Sequence, residues 1–339
     1  MRFRFVMTAS LTFLLIISTI SFAGVSKIKG YMFGDYLYNV ANHEASEENF
    51  NGFQFRRIYF TFENDLDPDV KVRLRLDAET EKTTSRSLIS PFVKDAYLEW
   101  TNLIKYHKVL IGLSSPPTWE LSEAVWGYRS IEKTIMDFRK IRSSREMGVG
   151  LKGAFDLENR YNHYLMIGNG TGYKGPEDDK YKLFMYSFWV VPVEGLTLQV
   201  YADYQRTTMS PDKVNDIVYK GFVAYEQPQF TIGVEGFQQS MKNDDIDTKS
   251  LGVSLFGSAI PVPGKKFKVF GRFDYWDPNT DSNSKDDEEN FIVGGLDFIP
   301  AGNVHVMPNV VLRTYAEDGK EKDVTARVTF YYKWSSNTF

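Results

Sequence analysis

The stretch Lys71-Val72-Arg73-Leu74-Arg75-Leu76-Asp77-Ala78-Glu79 decides the fold. Every odd position is charged and every even position is apolar. Successive side chains of an extended strand point to opposite faces, so this segment has one charged face and one apolar face; a helix would mix the two. The chain closes on the same pattern: Asp323, Thr325, Arg327, Thr329, Tyr331 and Lys333 alternate with Val324, Ala326, Val328, Phe330, Tyr332 and Trp334. Read outward from these two segments, the alternation predicts strands at 26–40, 52–65, 70–80, 92–101, 107–113, 146–155, 160–169, 180–191, 196–206, 216–226, 229–239, 249–259, 265–276, 290–299, 303–315 and 323–334.

The connections between these spans read as an alternation of short and long. Short ones carry turn residues: Leu66 to Asp69, Asp156 to Asn159, Pro192 to Gly195, Gln227-Pro228, Ile260 to Gly264 and Pro300 to Gly302. Long ones are polar and acidic: Ala41 to Asn51, Gly170 to Asp179, Met241 to Thr248 and Asp277 to Glu289. Short turns at one end, long loops at the other and an even strand count are the marks of a transmembrane antiparallel β-barrel of about sixteen strands. The chain length agrees, at about twenty residues per strand plus connection.

Export is written into the first residues. Arg2 and Arg4 precede an apolar run from Val6 to Phe22, and Ser21 and Ala23 give the small-x-small pattern of a signal-peptidase site. The sequence therefore predicts a signal peptide at 1–23 and a barrel domain at 24–339. Beyond Ala23 no run reaches the roughly 18–20 apolar residues of a spanning helix. The chain has 0 cysteines, and 44 acidic residues against 40 basic ones make it mildly acidic, unsuited to nucleic acid. Aromatics are 15% of the chain while mean hydropathy is −0.34. An apolar outer wall with aromatic girdles, around a polar inner wall, accounts for both values. These features place the protein in the bacterial cell outer membrane, in contact with its lipid and lipopolysaccharide.

One connection stands apart, the third long loop, from Ser114 to Arg145. It holds Pro116-Pro117, a helix-compatible stretch from Trp119 to Ala124, and a charged tail from Ile135 to Arg145. A loop of this length is expected to fold back onto the body, here into the pore.

Three runs carry a resemblance to a known family: Val93-Lys94-Asp95-Ala96-Tyr97-Leu98-Glu99-Trp100, Val109 to Pro117, and Met147-Gly148-Val149-Gly150-Leu151-Lys152-Gly153. Together with Arg56-Arg57-Ile58-Tyr59-Phe60, they resemble the phosphate-selective porin O and P family, over about the first half of the exported chain. The resemblance implies a sixteen-strand porin, a homotrimer, whose third loop narrows a water-filled channel for passive diffusion of small hydrophilic solutes or anions. The sequence departs from the anion-selective members in having no continuous lysine and arginine ladder.

If the apolar face of each strand meets lipid, its partners face the pore. Parity then turns Arg57, Arg73, Arg75, Arg313 and Arg327 inward, with Asp77, Glu79, Asp95, Glu99, Glu146, Asp203, Glu235, Asp274 and Asp297. Arg57, Arg75 and Arg327 lie near mid-strand and are expected to share one level. The third loop offers the acids Glu120, Glu123 and Asp137 and the bases Arg139, Lys140, Arg142 and Arg145. A basic wall facing loop acids would set a transverse field and a weak anion preference; pairing with the lumen acids would instead stiffen the wall. His43, His107, His163 and His305 fall on separate strands or loops without metal spacing, so no metal, cofactor or catalytic residue is expected. Asp244-Asp245 and Asp286-Asp287-Glu288-Glu289 read as solvated loop tips or weak calcium sites. Two other classes fit the same barrel: a lipid hydrolase, and a closed structural or adhesive barrel. Gly30, Met32 and Gly34 give the first strand the flat outer face that a subunit contact needs.

Overall fold

The computed structural model describes residues 25–82, 87–173, 175–177, 179–209, 212–262, 264, 266–280 and 287–337. The expected leader at 1–23 lies outside the described residues. Among the described residues sixteen strands form: β1 (Ser26–Ala41), β2 (Asn51–Asp67), β3 (Val70–Lys82), β4 (Ser87–Thr101), β5 (His107–Ser114), β6 (Glu146–Ala154), β7 (Tyr161–Gly168), β8 (Leu183–Val190), β9 (Leu196–Met209), β10 (Asp212–Gln227), β11 (Phe230–Lys242), β12 (Asp247–Ala259), β13 (Phe267–Asp277), β14 (Glu289–Ala301), β15 (Val304–Tyr315) and β16 (Asp323–Asn337). Each pairs antiparallel with its neighbours in sequence, and β1 pairs with β16 from Lys27↔Asn337 to Ala41↔Val324, closing the barrel.

Alternation explains why the sheet closes. Phe60, Leu74, Val93, Leu98, Ile111, Val149, Ile167, Val200, Val234, Leu255, Ile292 and Val310 all stand exposed on the outer face. Such a belt is stable only against lipid, and lipid offers no partner for a free strand edge. Among the described residues no helix is long and apolar enough to cross a membrane.

The predicted spans all form, but the short–long rhythm does not hold strictly. β4 begins at Ser87 and β10 at Asp212, so only residues 83–86 and 210–211 separate these strands from β3 and β9. The reason is that β9 and β10 pair onward to Met209↔Asp212 through polar residues that lack alternation. A ladder propagates wherever both backbones are free to pair, whatever the side-chain pattern.

Besides register shifts near strand ends at Asn39/Ala41, Asp65/Asp67 and Phe298/Ala301, parity breaks at two mid-strand points. The β1–β2 register shifts between Phe33↔Arg57 and Gly34↔Phe55, leaving Arg56 as the extra residue. The β3–β4 register shifts between Arg75↔Asp95 and Leu76↔Val93, leaving Lys94 as the extra residue. A bulge of this kind turns two consecutive side chains to one face. Strict alternation would send Arg56 and Lys94 to lipid. Instead both point into the lumen, Arg56 to Asp35 at 2.5 Å and Lys94 to Asp77 at 3.5 Å.

At the closing seam, aromatic rings of β16 lie over glycines of β1. Gly30 pairs with Trp334 and Gly34 with Phe330. A Cβ at Gly34 would stand 2.2 Å from the Gln54 carbonyl oxygen and 2.6 Å from the Phe330 ring, whereas one at Gly52 would meet nothing within 4 Å. Gly34→Val should therefore lower the denaturant midpoint in detergent micelles by the equivalent of about 1–3 kcal/mol, the usual effect of overpacking. Gly52→Ala should leave it within about 0.5 kcal/mol. Equal midpoints for both variants would contradict this seam.

Candidate functional site

The third loop, 115–145, joins β5 to β6. Prolines 116 and 117 lead into a short helix α1 (Glu120–Trp126), which ends at Gly127 in the left-handed conformation (φ 68°). A single turn α2 (Ile135–Phe138) follows, and the chain reverses through Lys140 (φ 58°). What draws this segment into the lumen is an inner wall that is not polar all round. Val125, Trp126, Tyr128 and Ile131 pack on Phe222, Phe256, Phe270, Phe291, Val293 and Met307, inward residues of β10 and β12–β15. Ile135, Met136 and Ile141 pack on Leu110, Tyr164, Met166, Met185, Val218 and Phe237 of β5, β7, β8, β10 and β11. Trp126, Ile131, Ile135 and Met136 are at most 2% exposed. Burying each stabilises the inward fold by about 1.5–3 kcal/mol.

Polar anchors fix what this packing selects. Arg142 reaches Asp203 through Nε at 3.0 Å and Asp216 through Nη1 at 2.6 Å, while Arg145 pairs with Asp95. Lys220 donates to the Thr118 carbonyl at 2.7 Å and to Ser122 Oγ at 3.1 Å, its charge matched by Glu235 at 3.0 Å. Arg272 donates to the Lys133 carbonyl, Tyr128 donates to Asp297 at 3.2 Å, and Arg139 meets Glu289 at 2.6 Å. On the opposite wall Arg56 donates to the carbonyls of Ser130 and Ile131, the latter at 2.9 Å. The loop is thus tied to both sides of the barrel.

These contacts revise the expected roles of the loop charges. Arg139, Arg142 and Arg145 are not a free basic tail but clamps on strand carboxylates; Lys140 alone of the four is exposed. Glu120 and Glu123 line one cavity with Arg73 and Arg75 of the wall, but among the described residues no loop acid pairs with a wall arginine. Glu120 pairs with Lys152 at 2.9 Å, Glu123 with Arg129 at 3.1 Å, and Asp137 with Lys133 at 3.7 Å and Arg129 at 4.0 Å. Burial pushes the Glu123 carboxyl above its usual range. Glu132 is half-buried, and although desolvation opposes its charge, the guanidinium groups of Arg56 and Arg327 hold its carboxyl below the usual range.

The wall residues find partners of their own. Arg57 pairs with Glu79 and lies 3.9 Å from Asp77. Arg73 joins Glu63 at 2.9 Å to Asp95 at 3.1 Å, and Arg75 lies 3.4 Å from Asp95 and donates to Thr61 at 2.9 Å. Glu99 binds Lys108 at 2.8 Å. Arg313 stands over Phe138 and Phe291, and Arg327 donates to Asn309 at 2.9 Å and to the Ile131 carbonyl at 3.4 Å. Among the described residues no carboxylate lies within ion-pair distance of Arg313 or Arg327.

The loop narrows the lumen without filling it. A cavity of about 770 Å³ opens at the end that carries the termini, lined by Tyr31, Arg73, Arg75, Asp95 and Tyr97 on the wall and by Glu120, Glu123, Ala124 and Arg129 on the loop. A second, of about 290 Å³, lies on the other side, lined by Asn42, Glu47, Glu132, Arg313 and Arg327. Arg75 and Arg327 thus border different cavities, with Arg57 held by Asp77 and Glu79, so the three are strung along the lumen rather than gathered at one level. Sequence reasoning missed Arg56 and Lys94, whose only signal is a second charge beside the expected one. It also missed Lys220 and Arg272, which parity alone would have turned inward. His107 and His163, read as lying on separate strands without metal spacing, meet across Gly153 with Nε2 atoms 2.8 Å apart. Among the described residues no group of three metal-binding side chains occurs.

Removing Arg142 would strand Asp203 and Asp216 without their cation, a loss of about 3–5 kcal/mol for a buried pair. The strands keep their ladders, so Arg142→Ala should expose the loop to proteolysis near Gly127–Lys133 while the barrel keeps its heat-modifiable mobility on gels. Unchanged cleavage would mean that the apolar packing suffices alone.

No protein-family model matches the chain, and no curated protein matches it. Solved structures do. The anion-selective porin from Comamonas acidovorans aligns with a TM-score of 0.72 at 12% identity, covering 92% of this chain and 100% of that one. The trimer form of OmpT from Vibrio cholerae aligns at 0.62 and 12% identity, covering 92% and 100%. OmpF of Salmonella typhi, in complex with daunomycin, aligns at 0.63 and 11%, covering 91% and 97%. At such identities the likeness is one of fold: the chain shares the closed sixteen-strand barrel of bacterial outer-membrane porins.

Proposed function

We propose that this protein is an outer-membrane porin, a water-filled channel for passive diffusion of small hydrophilic solutes and ions. The observation that carries the reading is the pair of arginine-lined cavities on either side of a loop pinned across the lumen. A structural or adhesive barrel has no need of a charged, hydrated interior, and charge at a narrow passage is what gives a pore selectivity. In the larger cavity Arg73, Arg75, Arg129, Arg145, Lys268 and Lys333 outnumber Asp95, Glu120, Glu123 and Asp297, which leaves a positive bias there. The proposed selectivity is a weak anion preference, in keeping with the anion-selective neighbour. A homotrimer fits the flat β1–β16 seam and the trimeric form of one neighbour.

In planar bilayers the purified protein should give ohmic single-channel steps and a reversal potential in a salt gradient that favours anions. A unit charge about 10 Å from a permeating ion is worth ~0.4 kcal/mol in water, or about twofold in partition. The triple variant Arg57→Ala, Arg75→Ala, Arg327→Ala should therefore lower the anion-to-cation permeability ratio by at least about twofold. An unchanged ratio would mean that these arginines only brace the wall. Absence of conductance would return the closed barrel, and lipid hydrolysis without conductance the enzyme.

A further inference from the structure

The lipid-facing surface of β8–β11 carries an apolar groove of about 490 Å³. Gly221 and Gly236, opposite one another across β10 and β11, form its floor with Ala202. Val200 and Tyr219, 61% and 59% exposed, stand as its walls. A Cβ at Gly221 would meet no atom within 4 Å, so the floor is open to whatever lies against it. The volume falls in the ~300–1,000 Å³ range of ligand sites.

Above this groove, on the same strands and the same face, basic side chains gather at the end away from the termini. Arg206 continues the outward row of Val200, Ala202 and Tyr204 on β9. Lys213 begins the outward row of Asn215, Ile217, Tyr219 and Gly221 on β10. Both face the ring of Tyr181, at 5.1 Å for Arg206 and 5.6 Å for Lys213, and Lys180 approaches it at 5.6 Å. Among the described residues no carboxylate lies within ion-pair distance of these three cations, whereas neighbouring Lys182 is taken by Glu177 at 2.6 Å. A hydrogen bond with Lys213, helped by the charges of Arg206 and Lys180, holds the exposed Tyr181 phenol below its usual pKa.

An unneutralised cation cluster directly over an apolar groove is complementary to one kind of molecule, an anionic amphiphile. Arg206 is four to six residues above Ala202 and Val200, about 13–20 Å along the strand, a span suited to a phosphate held by the cations and an acyl chain running down into the groove. We propose that this face binds one phosphorylated glycolipid of the outer leaflet, with its phosphate on Lys180, Arg206 and Lys213 and an acyl chain on Gly221 and Gly236. The inference rests on the outer-membrane placement proposed above, and on the orientation general to such barrels, with short turns toward the periplasm and the long-loop end outward, but not on conductance. A barrel that fails to conduct can still bind the lipid.

The test uses bis-phosphorylated lipid A as probe and native mass spectrometry of the full protein released from detergent. The parent protein should retain one lipid A per chain and bind its dephosphorylated form about tenfold more weakly. Arg206→Ala with Lys213→Ala should weaken phosphorylated lipid A by about tenfold or more and erase the difference between the two lipids. Gly221→Trp, whose Cβ has open space and whose ring would occupy the groove, should weaken both lipids. Heat-modifiable mobility checks that each variant is folded. Equal binding of the two lipids by the parent, or unchanged binding in either variant, would overturn the proposal. So would a Gly221→Trp variant that alters the number of chains per particle while lipid binding persists, since that would assign the groove to a second copy.

Discussion

Every backbone N–H and C=O within the lipid must find a partner inside the protein, and nothing else in this molecule is as unforgiving. An unpaired group there costs several kcal/mol, so the sheet has to close on itself. Closure through β1 and β16 then dictates the rest. It fixes which face of each strand meets lipid and sets a lumen whose width is a property of the strand number rather than of any side chain. Bulges at Arg56 and Lys94 are tolerated because each adds one residue without opening the ladder.

A lumen of that width would be an open hole. The chain narrows it with a loop whose apolar side chains need an apolar surface to rest on, and the inward positions of β10 and β12–β15 supply one. Those strands therefore carry apolar side chains on both faces where the loop rests. The rest of the wall, β1–β4 with β16 and the Arg313 end of β15, keeps its arginines and acids and borders the remaining space. Apolar packing and the polar anchors at Arg142, Arg145 and Arg56 divide the work: the first holds the loop inside, the second sets where it stands. Buried ion pairs contribute little net stability but penalise every misplacement that would leave a charge alone.

Fold and site differ in how far they can be read from the residues. Alternation in Lys71–Glu79 and at the C-terminus has one structural solution, and all sixteen spans were legible. Boundaries at β4 and β10 were not, because ladder propagation through polar residues leaves no mark in hydropathy. The loop was legible as a loop and, by its length, as one that turns back. Its partners were not: Arg142 meets Asp203 and Asp216, 61 and 74 residues away. Parity turned Asp203 inward but could not say which cation would reach it. A two-state rule of in and out also has no place for a bulge, so Arg56, which ties the loop tip to β1 and β2, was hidden beside Arg57. The expectation of a uniformly polar inner wall failed for the same reason. It treats the lumen as water, although much of it is protein.

Solutes should pass between the third loop and the β1–β4 wall. The native chain has 0 cysteines, so Ala124→Cys places a single thiol on the exposed, cavity-lining side of α1. Single-channel current recorded while a negatively charged methanethiosulfonate reagent is added should fall in a discrete step as the thiol is modified, and recover on reduction. Channels that stay open at full current after modification has been verified by mass would place the passage elsewhere and contradict the claim.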